Sequence, residues 1–544
     1  MNRILTIMIA ALALVCGSCK KLLEEKPYSV VSTGNFYQTA SDAELALTGV
    51  YDVLNTPSVQ GLGNQALWGR GIHYMTNLGV DDLTQDVRFS VGVPELVPFY
   101  NYTYTSENLL IWYSYFTFYA GINRANFVID KVPSINMNAA RRAQIVGEAK
   151  LLRGLFYTYL SWLWGGVPVI TKTDPDFTSP RSTLQQVLQQ AKDDLKAAYD
   201  VLPSRNAIAG RMNKYSASGF LAKVYLYEAS GKQNNVGKDL NFPLNSLDYV
   251  DVAASYAEAL KYCKDIYDNS GYKLLRPYNN LFLSATEVSA RDENMMIVQS
   301  GAGGNQEYIL FSQLSGPRGN TRDNSGTSGF LRPVRESYTK LNANDGRIST
   351  FSGLLNTTTN FTTVNGYKYY TPDPIAANLA NLSTNKWRED DTKARAARGV
   401  VVWGGEADFA ILRFADIILM YAEARFQTGD EAGARTLLRE VRLRACADDV
   451  AKTNLITTAY LKPSFMDELM DERGRELAAE GWRRIDLIRT GRIASVVSNL
   501  STTVLFTGQD PVSVRQNFQP YKIWYPIPSR DIATNPSLIQ NPGY

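Results

Sequence analysis

The chain has 544 residues, 45% hydrophobic and only 20% charged, which is enough apolar material for a large core and excludes a disordered or collagen-like chain. Lys and Arg total 56 against 53 Asp and Glu, and a net charge of +3 gives no long-range field that would draw in nucleic acid. Aromatic residues stand out, with 32 Tyr, 21 Phe and 8 Trp; tyrosine, apolar in body and polar at its tip, suits half-wet surfaces.

Residues 1–18 carry Arg3, an uncharged apolar run over 4–15, and the small pair Gly17 and Ser18 ahead of Cys19. This is the layout of an export signal, and about a dozen apolar residues are too few to span a bilayer, which takes about 20. A cysteine directly behind small residues resembles the lipobox of bacterial lipoproteins, in which cleavage leaves Cys19 as the lipid-modified first residue; Cys16, behind bulky Val15, fits less well. An ordinary secretory signal with an incidental cysteine is the alternative. A single acyl chain holds only reversibly, so stable anchoring needs several. Residues 19–34 read as a tether to a soluble body, since no later run is long and apolar enough to cross a membrane. Cys263 and Cys446 remain, too few for a disulfide framework. Cys263 shares an apolar helical face with Tyr256 and Leu260 and reads as a small buried hydrophobe.

In chain order, Ser41 and Glu44 form a capping box ahead of Leu47, Val50, Tyr51 and Leu54. Trp112, Phe116 and Tyr119 fit a helical stripe and are assigned to the core. Ile145, Ala149, Leu152, Phe156, Tyr159 and Leu163 stripe a helix over 141–164, stopped by Gly165, Gly166 and Pro168. Ser182 and Gln185 make a second capping box, leading through Leu188, Ala191, Leu195 and Ala198 to Pro203. Helices follow over 214–230 and 251–269. Phe414, Ile417, Ile418, Tyr421 and Ala424 stripe one helix, residues 428–430 turn the chain, and Ala434, Leu437, Leu438, Val441 and Ala445 stripe the next. That pair resembles a tetratricopeptide hairpin, and such hairpins stack into a superhelix. A last long helix is predicted over 465–489.

The stretches 58–108, 272–410 and 492–544 lack clean periodicity. The middle one is rich in Gly, Asn and Ser, but its rings (Tyr308, Phe311, Phe330, Tyr338, Tyr367, Tyr369 and Tyr370) argue for an ordered, functional region. The organisation expected is one body over 19–544: a helical part over 35–271, a loop-rich insertion over 272–410, a helix pair and long helix over 411–491, and a tail over 492–544.

Five blocks, in order, resemble the SusD/RagB family of surface lipoproteins of Bacteroidetes nutrient-uptake systems. They are Asn35-Phe36-Tyr37 through Ala43 to Tyr51; Gly147 to Phe156 with Trp164-Gly-Gly-Val-Pro168; Gly210-Arg211 leading to Ala222 to Tyr227; Leu412 to Ala424; and Glu472 to Leu477 with Gly481 to Gly491 and the tail motifs Tyr525-Pro-Ile-Pro528 and Asn541-Pro-Gly-Tyr544. The resemblance covers nearly the whole chain. It implies a mostly α fold, a tetratricopeptide-like superhelix of about four helix pairs whose long irregular loop insertions form the ligand face. It also implies a non-catalytic outer-membrane subunit that captures oligosaccharides, or in some members peptides, and delivers them to a SusC-type TonB-dependent barrel. Most of the shared blocks read as architecture: Glu472, Arg475, Glu476, Arg483, Arg484 and Asp486 form a charged helix face with internal ion pairs.

Sugars offer flat C–H faces and rims of hydroxyls, so rings serve as platforms and Asp, Asn, Arg and Gln as hydrogen-bonding partners that stay wet. The family's ligand face maps here to about 66–104 and 280–340. The first stretch offers Trp68, His73, Tyr74, Asp81, Asp82, Phe89, Phe99 and Tyr100; the second offers Tyr308, Arg318, Phe330 and Arg332. These are chosen by location and residue type, because no family motif fixes them. Enzyme readings have less behind them. His73 is the only histidine, so no HExxH or His-rich metal set exists, and there is no P-loop and no nucleophile elbow. No cofactor is implied, scattered Asp and Asn residues form no EF-hand loop, and a surface glycosidase would need only two acids at suitable spacing, for which there is no positive signal. A protein-docking scaffold is the third reading, since helical repeats often serve as one.

Overall fold

The computed structural model describes residues 36–55, 67–86, 96–206, 208, 210–283, 286–300, 316, 329–354, 361–364, 367–370, 372–387, 407–506 and 509–544. Its long helices start where a short polar side chain can take up the free N–H groups of the first turn. Helix α1 (Ala40–Asp52) is capped by Thr39, whose hydroxyl accepts from Asp42 N while Asp42 accepts from Thr39 N. Asn108 caps α2 (Leu109–Lys131), Asn138 caps α3 (Ala139–Trp164), Thr183 with Gln186 caps α4 (Leu184–Val201), Asn213 caps α5 (Lys214–Gln233) and Asp251 caps α6 (Val252–Asn269). The boxes expected at Ser41 and Ser182 therefore fall at Thr39 and Thr183. Neighbouring polar residues offer overlapping boxes, and the register that turns Ala43, Leu47 and Val50 into the core selects one.

Later come α7 (Phe414–Gln427), α8 (Glu431–Ala445), α9 (Val450–Tyr460), α10 (Phe465–Glu476), α11 (Arg483–Arg489) and, near the C-terminus, α12 (Ser529–Thr534). Successive helices pack on one another from α2 through α8, the hairpin stack expected of a tetratricopeptide-like body. Helix α3 is its centre: from Leu151 to Trp164 every residue is buried, where the periodicity predicted a single stripe. A helix wrapped on all sides has no polar face to spare, so its charged side chain is paired, with Arg153 donating to both oxygens of Asp194 at 2.8 and 2.7 Å. Gly121 allows α2 to close on α3, since a Cβ there would lie 2.5 Å from the Phe156 ring.

Helix α2 is rotated relative to the expectation. Ile111, Tyr115, Phe118 and Ile122 enter the core, while Trp112, Phe116 and Tyr119 are half-buried. The sequence holds two ring stripes, and the inward one is continuous with Ile122, Ala125 and Val128, which extends the contact along the helix.

The single helix expected over 465–489 is two. After α10 the chain turns through Ala479 at φ +64° and Gly481 at φ +86° before α11 begins. A left-handed alanine costs roughly 1–2 kcal/mol, and the Ala479 N–H offsets it by donating to both carboxylate oxygens of Asp82 at 3.0 Å. The turn also carries Trp482 into the core, where the Lys223 ammonium lies 3.4 Å from the ring centroid.

Short antiparallel pairs occupy the stretches without periodicity: β1 (Leu83–Gln85) with β3 (Leu331–Pro333), and β2 (Asn294–Val298) with β4 (Phe409–Arg413). The tail straps the end of α3. Tyr525 N donates to Leu163 O at 2.7 Å, Trp164 Nε1 to Pro526 O at 3.0 Å, and Arg181 to Ile539 O and Asn541 Oδ1 at 2.7 and 2.8 Å. Among the described residues no helix is long and apolar enough to cross a membrane.

Candidate ligand-binding region

The two stretches expected to build the ligand face meet in one seam. Leu83, Thr84 and Gln85 pair with Pro333, Arg332 and Leu331. The ladder extends past both ends, with Asp86 N donating to Phe330 O at 2.8 Å and Val334 N to Asp82 O at 3.0 Å. Residues 86 and 330, the points where the chain leaves the seam, are therefore neighbours.

Charged side chains hold the seam from beneath. Arg332 is 1% exposed: its guanidinium donates to Leu382 O and Ala380 O at 3.0 Å, pairs with Asp86 at 3.2 Å and lies 4.2 Å from the Phe506 ring centroid. Asp81 accepts from Arg483 at 2.7 and 2.6 Å and from Lys340 at 2.5 Å. Burial opposes its charge, but those two cations hold its carboxyl well below the usual carboxylate range. Asp82 has no such direct cation partner; burial pushes its carboxyl up to about 7 against the pull of the Ala479 N–H.

Trp68, His73 and Tyr74 form a layer further in, each no more than 1% exposed. The Trp68 ring sets its edge on Tyr159 at 5.0 Å, and the His73 ring meets Phe409 edge-on at 4.5 Å. His73 Nε2 donates to Trp68 O at 2.7 Å, and burial lowers its pKa to about 3, so the ring is neutral. Phe99 packs on Tyr104 and Tyr525, and Tyr100 is 4% exposed. The expectation that these rings and acids face a ligand is corrected for Trp68, His73, Tyr74, Asp81, Asp82, Phe99, Tyr100 and Arg332. Their surfaces are taken up by the protein itself, because two chain segments far apart in sequence must bury rings and satisfy charges to stay joined. Phe330, at the seam's edge, is half-buried. Phe89, Tyr308 and Arg318 lie outside the described residues.

A buried ionic network fixes the insertion to the helices. Arg413 pairs with Glu480 at 2.7 Å, Glu293 at 2.6 Å and Glu476 at 3.1 Å, and Arg347 pairs with Asp345 at 2.7 Å, Glu472 at 2.7 Å and Glu476 at 3.1 Å. Lys386 reaches Glu480 at 2.9 Å, and Arg444 pairs with both Glu293 and Glu476. Burial works against the Glu476 charge, yet Arg444, Arg413 and Arg347 hold its carboxyl at about 2. The α10 charges read as ion pairs from sequence are indeed paired, but inside the molecule, and their partners in the insertion, Arg347 and Lys386, left no trace in any local pattern.

A cleft beneath the seam, lined by Leu83, Thr84, Tyr100, Val334, Leu505 and Val514, measures about 30 Å³, the share of one water molecule. It cannot seat a sugar ring. Among the described residues no three His, Cys, Asp or Glu side chains come together as a metal would need. Cys263 is buried, and burial raises its thiol pKa, which leaves it unreactive. The site therefore offers hydrogen bonding and ring contact at the seam's rim, with no assembled nucleophile or metal centre among the described residues.

A stacked helical-repeat scaffold carrying a pinned, loop-rich insertion is a binding architecture. Residues 335–544 match the SusD family and residues 34–226 a family described as starch-binding associating with outer membrane. The chain belongs to the SusD/RagB family. SusD-like protein P25 of Formosa agariphila is 25% identical over 97% of each chain, and starch-binding protein SusD of Bacteroides thetaiotaomicron is 24% identical over 99% of this chain and 98% of its own. Among solved structures, surface glycan-binding protein A of Bacteroides thetaiotaomicron, in complex with laminarihexaose, superposes with a TM-score of 0.67 at 20% identity, covering 93% of this chain and 100% of that one.

Proposed function

We propose that this chain is a non-catalytic nutrient-binding lipoprotein of the outer-membrane surface, which captures an oligosaccharide and delivers it to a SusC-type barrel. The observation that carries the reading is end-to-end similarity to a starch-binding protein, together with a shared fold with a laminarihexaose-bound one. The signal ahead of Cys19 supports the lipid anchor, with Cys19 the acylated residue. Ligand contacts fall at the rim of the seam, on Phe330 and on the flanking stretches that hold Phe89, Tyr308 and Arg318, while the pinned layer below keeps that rim in place. A rigid base suits a glycan receptor, since ordering loops on binding would cost affinity.

Isothermal titration of the mature chain against starch, laminarin and other oligosaccharides, with peptides alongside, tests the capture. Heat of binding for a glycan, with the sugar recovered uncut by chromatography, is expected. A folded sample silent to every glycan refutes capture, and shortened products would make it a glycosidase. Globomycin treatment should accumulate unprocessed precursor, and a barrel should co-purify from detergent-solubilised outer membrane.

A further inference from the structure

Of the α2 stripe that the sequence assigns to the core, Tyr119 packs against it and donates its hydroxyl to Pro168 O at 2.8 Å, whereas Trp112 and Phe116 lie toward the surface. Trp112 and Phe116 sit one turn apart, ring centroids 5.9 Å apart, and both are half-buried. The same face continues through exposed Asn123 to half-buried Phe127, whose ring lies parallel to Tyr37 at 6.4 Å. At 1.5 Å per residue, Trp112 to Phe127 spans about 22 Å, a length for several sugar rings in file.

A charged group from α12 flanks the Trp112 end. The exposed Arg530 guanidinium lies 4.4 Å from the Trp112 ring centroid and forms no ion pair among the described residues. The neighbouring Asp531 belongs to the packing instead: its Oδ2 is shielded from solvent near Tyr115 and Tyr119, and burial pushes its carboxyl up to about 6. Rings separated by alanine and asparagine, rather than a continuous aliphatic patch, suit a sugar's alternating C–H faces and hydroxyls better than a protein surface.

We infer that the outward face of α2, with Trp112, Phe116 and Phe127 as platforms and Arg530 as a hydrogen-bonding partner, is a second binding site for an extended glycan, separate from the seam. This inference rests on the glycan-binding reading above. Arg530 donates to a sugar hydroxyl or ring oxygen, and the rings take the C–H faces.

Affinity electrophoresis of the full mature chain in gels cast with laminarin or soluble starch, paired with calorimetry using laminarihexaose and maltohexaose, separates the two sites. A long polymer can engage both sites at once, whereas a short oligomer fills the seam. Trp112→Ala should weaken retention on the polymer by about tenfold, with short-oligomer affinity and melting temperature kept. Arg530→Ala, placed at the surface, should act in the same direction, and Trp112→Phe should recover part of the retention. Unchanged retention for both Trp112→Ala and Arg530→Ala, while wild type is retarded, overturns the second site and leaves the proposed function standing. Loss of barrel co-purification with unchanged glycan retention also overturns it, because the face would then dock protein. A wild-type chain retarded by no polysaccharide overturns both readings together.

Discussion

The stretch over 67–86 and the outward face of α2 are both ring-rich, yet they are built in opposite ways. In the first, Trp68, Tyr74 and His73 lie under a two-stranded seam whose acids are held by Arg483, Lys340 and Ala479 N–H. In the second, Trp112 and Phe116 keep part of their surface beside the exposed Arg530 guanidinium. Ring content does not tell a binding face from a core. The share of each ring left uncovered by the rest of the chain does.

The largest expected effect tests the pinned side. Arg413→Ala takes one cation each from buried Glu480, Glu293 and Glu476 and leaves the network short of positive charge; it should cost about 3–5 kcal/mol, seen as a steep fall in melting temperature or a chain that does not fold. Next, Trp68→Ala should cost about 3–5 kcal/mol through the cavity it leaves, whereas Trp112→Ala should stay within about 1 kcal/mol. Equal losses for the two would erase the contrast.

The pH dependence of Asp82 is subtler. Its folded pKa, about 7, lies above the unfolded value, so the folded state holds the proton in between. The stabilisation from that proton is complete below the unfolded pKa of about 4 and is lost as pH rises through about 7. Asp82→Asn should therefore gain stability relative to wild type at pH 8, by about 4 kcal/mol, and lose that advantage near pH 4. Urea melts at the two pH values measure it, and a pH-independent difference would show that Asp82 is not the buried neutral acid described here. The smallest effect concerns His73. With a folded pKa near 3, its ring proton resonance should stay flat from pH 5 to 8 by NMR; a midpoint near 6.5 would mean that the layer under the seam is open to water.

Local pattern revealed much of the scaffold. Capping residues and apolar spacing located α1, α3, α4, α5, α6, α7 and α8 to within a few residues, because each helix depends on its own first turn and its own apolar stripe. It failed at the break between α10 and α11, where Ala479 adopts a left-handed conformation for a carboxylate 397 residues away. It failed again at α2, where two stripes of rings compete and only the neighbouring helix α3, closing at Gly121, decides which goes inward.

The sequence by itself determined the helical stack and the family, since periodicity, caps and ordered motif blocks are carried by neighbouring residues. Only the tertiary structure decided which rings are covered, because burial depends on what arrives from elsewhere in the chain. Arg332 finding Asp86, and Arg483 finding Asp81, turned expected ligand contacts into the frame that holds the seam together.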